Sequence, residues 1–400
     1  MSRKSFFRPA ADRRAAAART VKGRTARSLF RGSLRFEPLE DRRLLALVAV
    51  TTVADTIDFN DGLTSLREAI FATNLVSGAD EIRFDPSLTA NGPATILLTQ
   101  GELKITDDLT IAGPGADLLT IDASGNDPTP STNEGNGSRI FTIDDGNLDS
   151  LITVSIAGVT LTGADISQSR PVSGGGITNH EYLTLESVSV VGNAASAIDQ
   201  NSAAVFSSGG NLEVRSSNVA ANFGQGIAVR DGNLTVVDSI VSGNYFRGVG
   251  VRQNPSITYG GISIQRGDAV LDHTTVSGHD GGFGVASKDG SLMILTSTVS
   301  GNLSGVGASG RLTIQDSTVS ENRLTQGRPS FVGIGVRATG DLHVENSDIS
   351  DNLGTGIVHE SGNLTALAST INRNTARSSG IADGILSLNS VVAIVDCEIS

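Results

Sequence analysis

One unit recurs along this chain. Gly232 to Asn244 reads GNLTVVDSIVSGN, and the pattern G-x-L-x-Φ-x-x-[ST]-x-Φ-x-x-N, with Φ aliphatic, returns from Gly210, Gly290, Gly310, Gly340 and Gly362. Weaker copies run from Gly267 to His279 and near Leu183 to Asn193. Successive repeat glycines lie 22, 35, 23, 20, 30 and 22 residues apart. A unit this short cannot bury its own apolar face, so its neighbours must stack on it. Leu234 and Val236 point one way, and Ser239 and Val241 follow them after a turn. A third segment reads G-Φ-x-Φ, as in Gly226–Val229, Gly261–Ile264 and, more loosely, Gly384–Leu388. Period-two alternation puts the aliphatic residues inside and Thr, Asp, Glu and Arg outside. The shortest spacings describe one coil of three strands and three turns, and longer ones the same coil with an insertion. Stacked at about 4.8 Å, some dozen coils make a rod of about 60 Å.

Composition agrees with short strands joined by tight turns: 47 Gly, no Trp and three Tyr. Cys397 is the only cysteine, so no internal disulfide forms. Charge is split along the chain, with residues 1–45 carrying +9 and residues 46–400 carrying −21. Such a split separates an N-terminal tail from the fold. An Arg-rich tail can also bind phosphate, but the motif that follows points to export, and no nucleic-acid partner is expected.

That motif is Arg35-Phe-Glu-Pro-Leu-Glu-Asp-Arg-Arg-Leu-Leu-Ala46. It resembles the short LEPR-x-LL-type N-terminal motif of large exported planctomycete proteins, which implies a signal segment and a secreted or cell-surface bacterial location. The apolar run Leu44 to Val50 is too short to span a bilayer, which needs about 20 residues, and no other run qualifies. Residues 1–46 are therefore expected to be a basic, disordered targeting segment.

Ala49 to Asp55 reads as a first strand. Ser65 and Glu68 form an S-x-x-E capping box, so a helix is expected from Ser65, with Leu66, Ala69, Ile70 and Thr73 on one face. Such a helix covers the apolar end of the first coil. Thr64-Ser-Leu-Arg-Glu-Ala69, with Gly78 to Leu88 and Ile105 to Asp122, resembles the CSLREA family. That resemblance implies a right-handed parallel β-helix on a secreted or surface protein. Thr64 stands where the family has Cys, which removes thiol chemistry there and leaves the cap intact. The expected fold is all-β, a right-handed parallel β-helix of pectate-lyase-like type with an N-terminal capping helix. The expected divisions are a targeting segment (1–46), a cap with the first coils (47–125) and β-helix repeats (126–400). The last repeat, Ser390 to Ser400, stops before its Asn. An open apolar end of that kind predicts packing against further residues or another chain.

Two rows follow from the register. Asn193, Asn222, Asn244, Asn302, Asn322, Asn352 and Asn374 share one phase, at a turn where Asn tolerates the left-handed region, and can bond coil to coil as a structural ladder. Ser217, Ser239, Ser297, Ser317, Ser347 and Ser369 form a second, inward or turn-lining row. Asp238, Asp316, Asn346 and Asp396 share the phase just before these serines. Ser216, His273, Thr296 and Ala368 interrupt that row, so it reads as a patchy acidic stripe. The five His occupy different phases and show no ligand spacing. No cofactor is called for; Ca²⁺ is possible but no specific motif supports it.

The Gly-to-Asn stretch is nearly constant in length, so variation falls between Asn and the next G-Φ-x-Φ segment: 16 residues after Asn244, ten after Asn322 and nine after Asn374. Gly248–Val251 is an alternative strand that would move the first insertion one turn later. Insertions on one corner of a repeat protein often form its binding face. These are basic and partly aromatic: Tyr245, Phe246, Arg247, Arg252 and Tyr259 belong to the first, Arg323 and Arg328 to the second, and Arg373 and Arg377 to the third. They are the candidate ligand-binding residues, for a polysaccharide or another surface polymer. The expected function is non-catalytic, in adhesion, matrix or surface-polymer binding. The alternative is a polysaccharide lyase or glycoside hydrolase of pectate-lyase type, whose catalytic residues the sequence does not identify.

Overall fold

A computed structural model describes residues 46–147, 149–166, 174–195, 202–245, 259–323, 333–376 and 382–400. Three parallel sheets stack side by side: among the described residues, sheet one has 13 strands, sheet two 12 and sheet three 11. Each coil visits them in turn. Leu234–Val237 lies in sheet one, Ile240–Ser242 in sheet two and Tyr259–Arg266 in sheet three, before Ala269–Asp272 returns to sheet one. The fold is a parallel β-helix. At about 4.8 Å per strand, sheet one runs about 58 Å along the axis. The stack passes residue 125 without a break, since Leu109–Ala112 pairs with Thr153–Ala157.

In-register pairing lines up each apolar column. Leu212, Leu234, Ala269, Leu292, Leu312 and Leu342 form one file of sheet one, and Val219, Val241, Val276, Val299 and Val319 one file of sheet two. All are buried. The first strand is Leu47–Val50, earlier and shorter than the alternation suggests, because from Thr51 the chain leaves the sheet to pair with Thr64.

The helix spans Leu66–Thr73 with Ser65 as its N-cap, as the capping box predicts. Ser65 Oγ accepts from Glu68 N (3.1 Å) and Glu68 Oε2 accepts from Ser65 N (2.8 Å). Arg67 fastens the helix to the first coil. It donates to both oxygens of buried Asp55 (2.6 and 3.1 Å) and to the carbonyls of Gly101 and Glu102. Burial alone would push the Asp55 carboxyl up; Arg67 and the amides of Thr99 and Gln100 outweigh it and hold it below the usual carboxylate range.

The asparagine row is buried and bonded from coil to coil. Asn222 N donates to Asn244 Oδ1 (3.0 Å), Asn222 Nδ2 donates to the same oxygen (2.9 Å) and to Val190 O (2.9 Å). The pattern repeats from Asn302 to Asn322, Asn352 and Asn374. The left-handed residue is the one before each asparagine, not the asparagine itself. Gly192, Ala221, Gly243, Gly301, Glu321, Asp351 and Arg373 all have positive φ, as does Gly278 before His279, and the bend they make turns the rung inward.

His279 holds a rung. Asn244 N donates to His279 Nδ1 (3.2 Å), and His279 Nε2 donates to Val241 O (3.1 Å). The serine row is also bonded, with Ser217 N donating to Ser239 Oγ (3.1 Å) and Ser297 N to Ser317 Oγ (3.0 Å). Thr274 belongs to it, and Cys397 bonds Val395 O as the serines bond their own i−2 carbonyls. Asn233, Asp268 and Asp341 form a third, exposed file, each accepting the amide of the next coil.

Candidate functional site

The corner between sheets two and three is where the long insertions leave the coil. One residue follows each rung into this corner: Phe223, Tyr245, Asp280 and Leu353 are half-buried, Arg323 and Thr375 are exposed, and Ala194 and Leu303 are buried. The stacked backbone sets their spacing, since Tyr245 N donates to Asn222 O and Arg323 N to Asn302 O. Phe223 and Tyr245 meet edge to face, with ring centroids 5.5 Å apart and planes at 83°. Both are half-buried. Sequence reasoning missed Phe223, although the aromatic residue directly after a ladder asparagine recurs in Asn222-Phe223 and Asn244-Tyr245.

The described cations of this corner are paired with acids. Arg323 donates to Glu321 (3.0 Å), and Arg373 reaches both oxygens of Asp351 (2.8 Å each). The Arg373 guanidinium, with Arg323 adding, holds the Asp351 carboxyl below its usual range. The reason is register: Glu321, Asp351 and Arg373 occupy the same left-handed position on successive coils. The corner is thus charge-balanced where it is described, rather than basic. Tyr245 stands three coil steps from Arg323, about 14 Å along the axis. Arg323 and Arg373 are separated by about 10 Å.

Phe246, Arg247, Arg252, Arg328 and Arg377 lie outside the described residues. Of Tyr259 only the backbone is described; it opens the strand Tyr259–Arg266 and pairs with Phe283. Ile262 and Ile264 of that strand are buried, so sheet three is completed here by Gly261–Ile264. The alternative strand Gly248–Val251 falls outside the described residues. After Asn322 the strand is Val336–Ala338, two residues later than the ten-residue spacing predicts.

The acidic stripe has a backbone origin. Asp238, Asp316, Asn346 and Asp396 have φ between 47° and 53°, as do Ser216, His273, Thr296 and Ala368. Asp and Asn tolerate the left-handed region better than other side chains.

Carboxylates converge instead at the bend between sheets three and one. Asp144, Asp145 and Glu181 each present an oxygen within 4.8 Å of the others. Glu181 is buried, with its oxygens accepting from Asp145 N (3.2 Å) and Ile152 N (3.0 Å). Burial, reinforced by Asp145 and Asp144, pushes its carboxyl up. Such a trio can share a proton or offer hard oxygen ligands to a divalent cation. It has no repeat phase to mark it in the sequence, because Asp144 and Asp145 lie in a bend outside the repeat unit.

Among the described residues no helix is long and apolar enough to cross a membrane. No curated protein matches the chain. In solved structures the chain is similar to pectate lyase Pel9A (13% identity, 89% of this chain and 80% of that one, TM-score 0.39). It is similar to PfbA, a surface adhesin of Streptococcus pneumoniae (10% identity, 88% and 91%, TM-score 0.37). It is also similar to the GH136 lacto-N-biosidase from Eubacterium ramulus (10% identity, 87% and 68%, TM-score 0.42). Residues 260–400 match the family described as "Right handed beta helix region", in agreement with the three parallel sheets through which that segment runs.

Proposed function

We propose that this chain is a secreted or cell-surface polymer-binding protein that acts without catalysis, through the corner between sheets two and three. The observation that carries the reading is the Phe223–Tyr245 pair, half-buried at the point where the 16-residue insertion after Asn244 departs. Aromatic rings held by a rigid backbone supply apolar contact area with little loss of side-chain freedom, which suits the faces of sugar rings. The paired corner charges make a neutral or weakly charged polymer the better fit.

The test is retention on a panel of insoluble polysaccharides, comparing wild type with Tyr245→Ala and with Met293→Ala on the outer face of sheet one. The proposal expects retention that is lost at Tyr245 and kept at Met293. Equal retention of all three proteins overturns the site. Release of reducing or unsaturated sugar that disappears in Glu181→Gln replaces binding with cleavage at the carboxylate trio.

A further inference from the structure

The ladder changes chemistry at one rung. Every other rung from Asn193 to Asn374 is an amide, which does not titrate near neutral pH. His279 reproduces the amide's two bonds with its ring. Nδ1 stands where Oδ1 accepts, taking the Asn244 N–H (3.2 Å), and Nε2 stands where Nδ2 donates, bonding Val241 O (3.1 Å). Its own N–H continues the ladder to Asn302 Oδ1 (3.1 Å). These bonds require the neutral ring with its proton on Nε2.

We propose that His279 makes this rung a pH-sensitive seam: a proton taken up on Nδ1 removes the acceptor of Asn244 N–H and loosens the corner at that coil, while the amide rungs on either side stay closed. The protonated Nδ1 has one new acceptor in reach, Asn244 O at 3.2 Å. Turning to it still leaves Asn244 N–H unbonded in a buried site.

The surroundings decide when the proton arrives. The ring is 1% exposed and lies over Gly261, where a Cβ would collide with it. Burial holds its pKa below the ordinary imidazole value; the carbonyls of Asn244 and Val241 and the Asp280 carboxylate oppose that without overcoming it. The sheet-two strands Ile240–Ser242 and Thr275–Ser277 bring no ionisable side chain. The sheet-three strands carry their charged groups at the far end: Arg230 and Asp231, Arg266, and Lys288 and Asp289, four or more residues from the glycine column, or about 13 Å and beyond; Tyr259 opens the middle strand two residues before Gly261. The phenol of Tyr245 follows Asn244 directly. Among the described residues no charged group other than Asp280 approaches the ring, and its proton is taken up on the acid side of its ordinary value.

The experiment is residue-resolved hydrogen exchange from pH 7.5 down to pH 4.5, corrected for intrinsic rates, on wild type and His279→Asn. The proposal expects protection of the Asn244 amide to fall by up to about tenfold per pH unit as pH drops from the ordinary imidazole value of about 6.5 to the lower folded pKa of His279, and to level off below it. Protection at Asn222 and Asn322 should hold. His279→Asn, which restores an ordinary rung, should abolish the pH dependence at Asn244. Unchanged protection at Asn244, or an equal loss at Asn222 and Asn322, overturns it. Ring ¹⁵N shifts at pH 7.5 give an independent reading even if the variant folds poorly: the Nε2–H tautomer is required, and an Nδ1–H tautomer contradicts the proposal.

Discussion

A Cβ added to Gly226 would lie 2.7 Å from Asn244 Nδ2 and 2.8 Å from Val241 Cγ1. Gly284 stands in the same way under Asn302, Gly335 under Asn352 and Gly356 under Asn374, at 2.5, 2.8 and 2.6 Å. The glycine of G-Φ-x-Φ and the asparagine that ends each repeat are therefore one device. The amide of one coil occupies the space that a side chain on the previous coil would need. Gly284→Ala should destabilise by about 1–3 kcal/mol through overpacking. Gly176→Ala, whose nearest neighbour is Ala204 O at 3.2 Å, should cost less than Gly284→Ala. Urea unfolding of both variants measures the contrast.

Asn322 accepts from Asn302 N (3.0 Å) and donates to Val299 O (3.2 Å). Asn322→Ala leaves a buried donor and a buried acceptor without partners, at about 1–3 kcal/mol each. Asn322→Asp keeps the acceptor but turns its second oxygen towards Val299 O, so its carboxyl will titrate above the ordinary range. A group raised in this way gives stability below its unfolded pKa that is lost as pH rises. The Asp variant should thus be further below wild type at pH 7 than at pH 4. Denaturant midpoints at the two pH values decide.

Thr296 and Ala368 occupy a left-handed position, φ 47°, that Asp238, Asp316 and Asn346 fill in other coils. A β-branched residue is poorly suited to that region. Thr296→Asn and Ala368→Gly should each stabilise by about 0.5–1 kcal/mol. A rise in thermal midpoint in both variants is the expected result; a fall in either contradicts the backbone account of this column.

Arg67→Met strands the buried Asp55 charge and should destabilise by about 3–5 kcal/mol, with part recovered in the double variant Asp55→Asn/Arg67→Met. The pH dependence has a defined sign. The folded pKa of Asp55 lies below its unfolded value of about 3.9. Its stabilising contribution is therefore complete above that value and fades as pH falls through the lower, folded one. Acid unfolding monitored by circular dichroism should begin at higher pH in Arg67→Met than in wild type.

The stack and its ladder were legible because both repeat: a period of 20–23 residues with Leu, Ser, Val and Asn at constant phase leaves few other ways to bury the apolar face. What hid from the sequence was whatever breaks the period. His279 ends the weaker copy from Gly267, but that its ring makes the amide's bonds is seen only in the structure. Phe223 sits in a three-residue gap between Asn222 and Gly226 and drew no attention beside the longer insertions. Glu181 meets Asp144 and Asp145 across a bend that no repeat spans. Arg373 looked like part of a basic edge because the sequence separates Asp351 from it by 22 residues, while the coil returns one to the other.

The central claim is that the amide ladder, not the loops, holds the coils in register, which leaves the corner free to vary and to bind. Native-state hydrogen exchange at neutral pH tests it most directly. The backbone amides of Asn222, Asn302, Asn322 and Asn352 should exchange only through global unfolding, with protection matching the full unfolding free energy. Exchange of these amides by local opening, with protection well below the full unfolding free energy, would contradict the account.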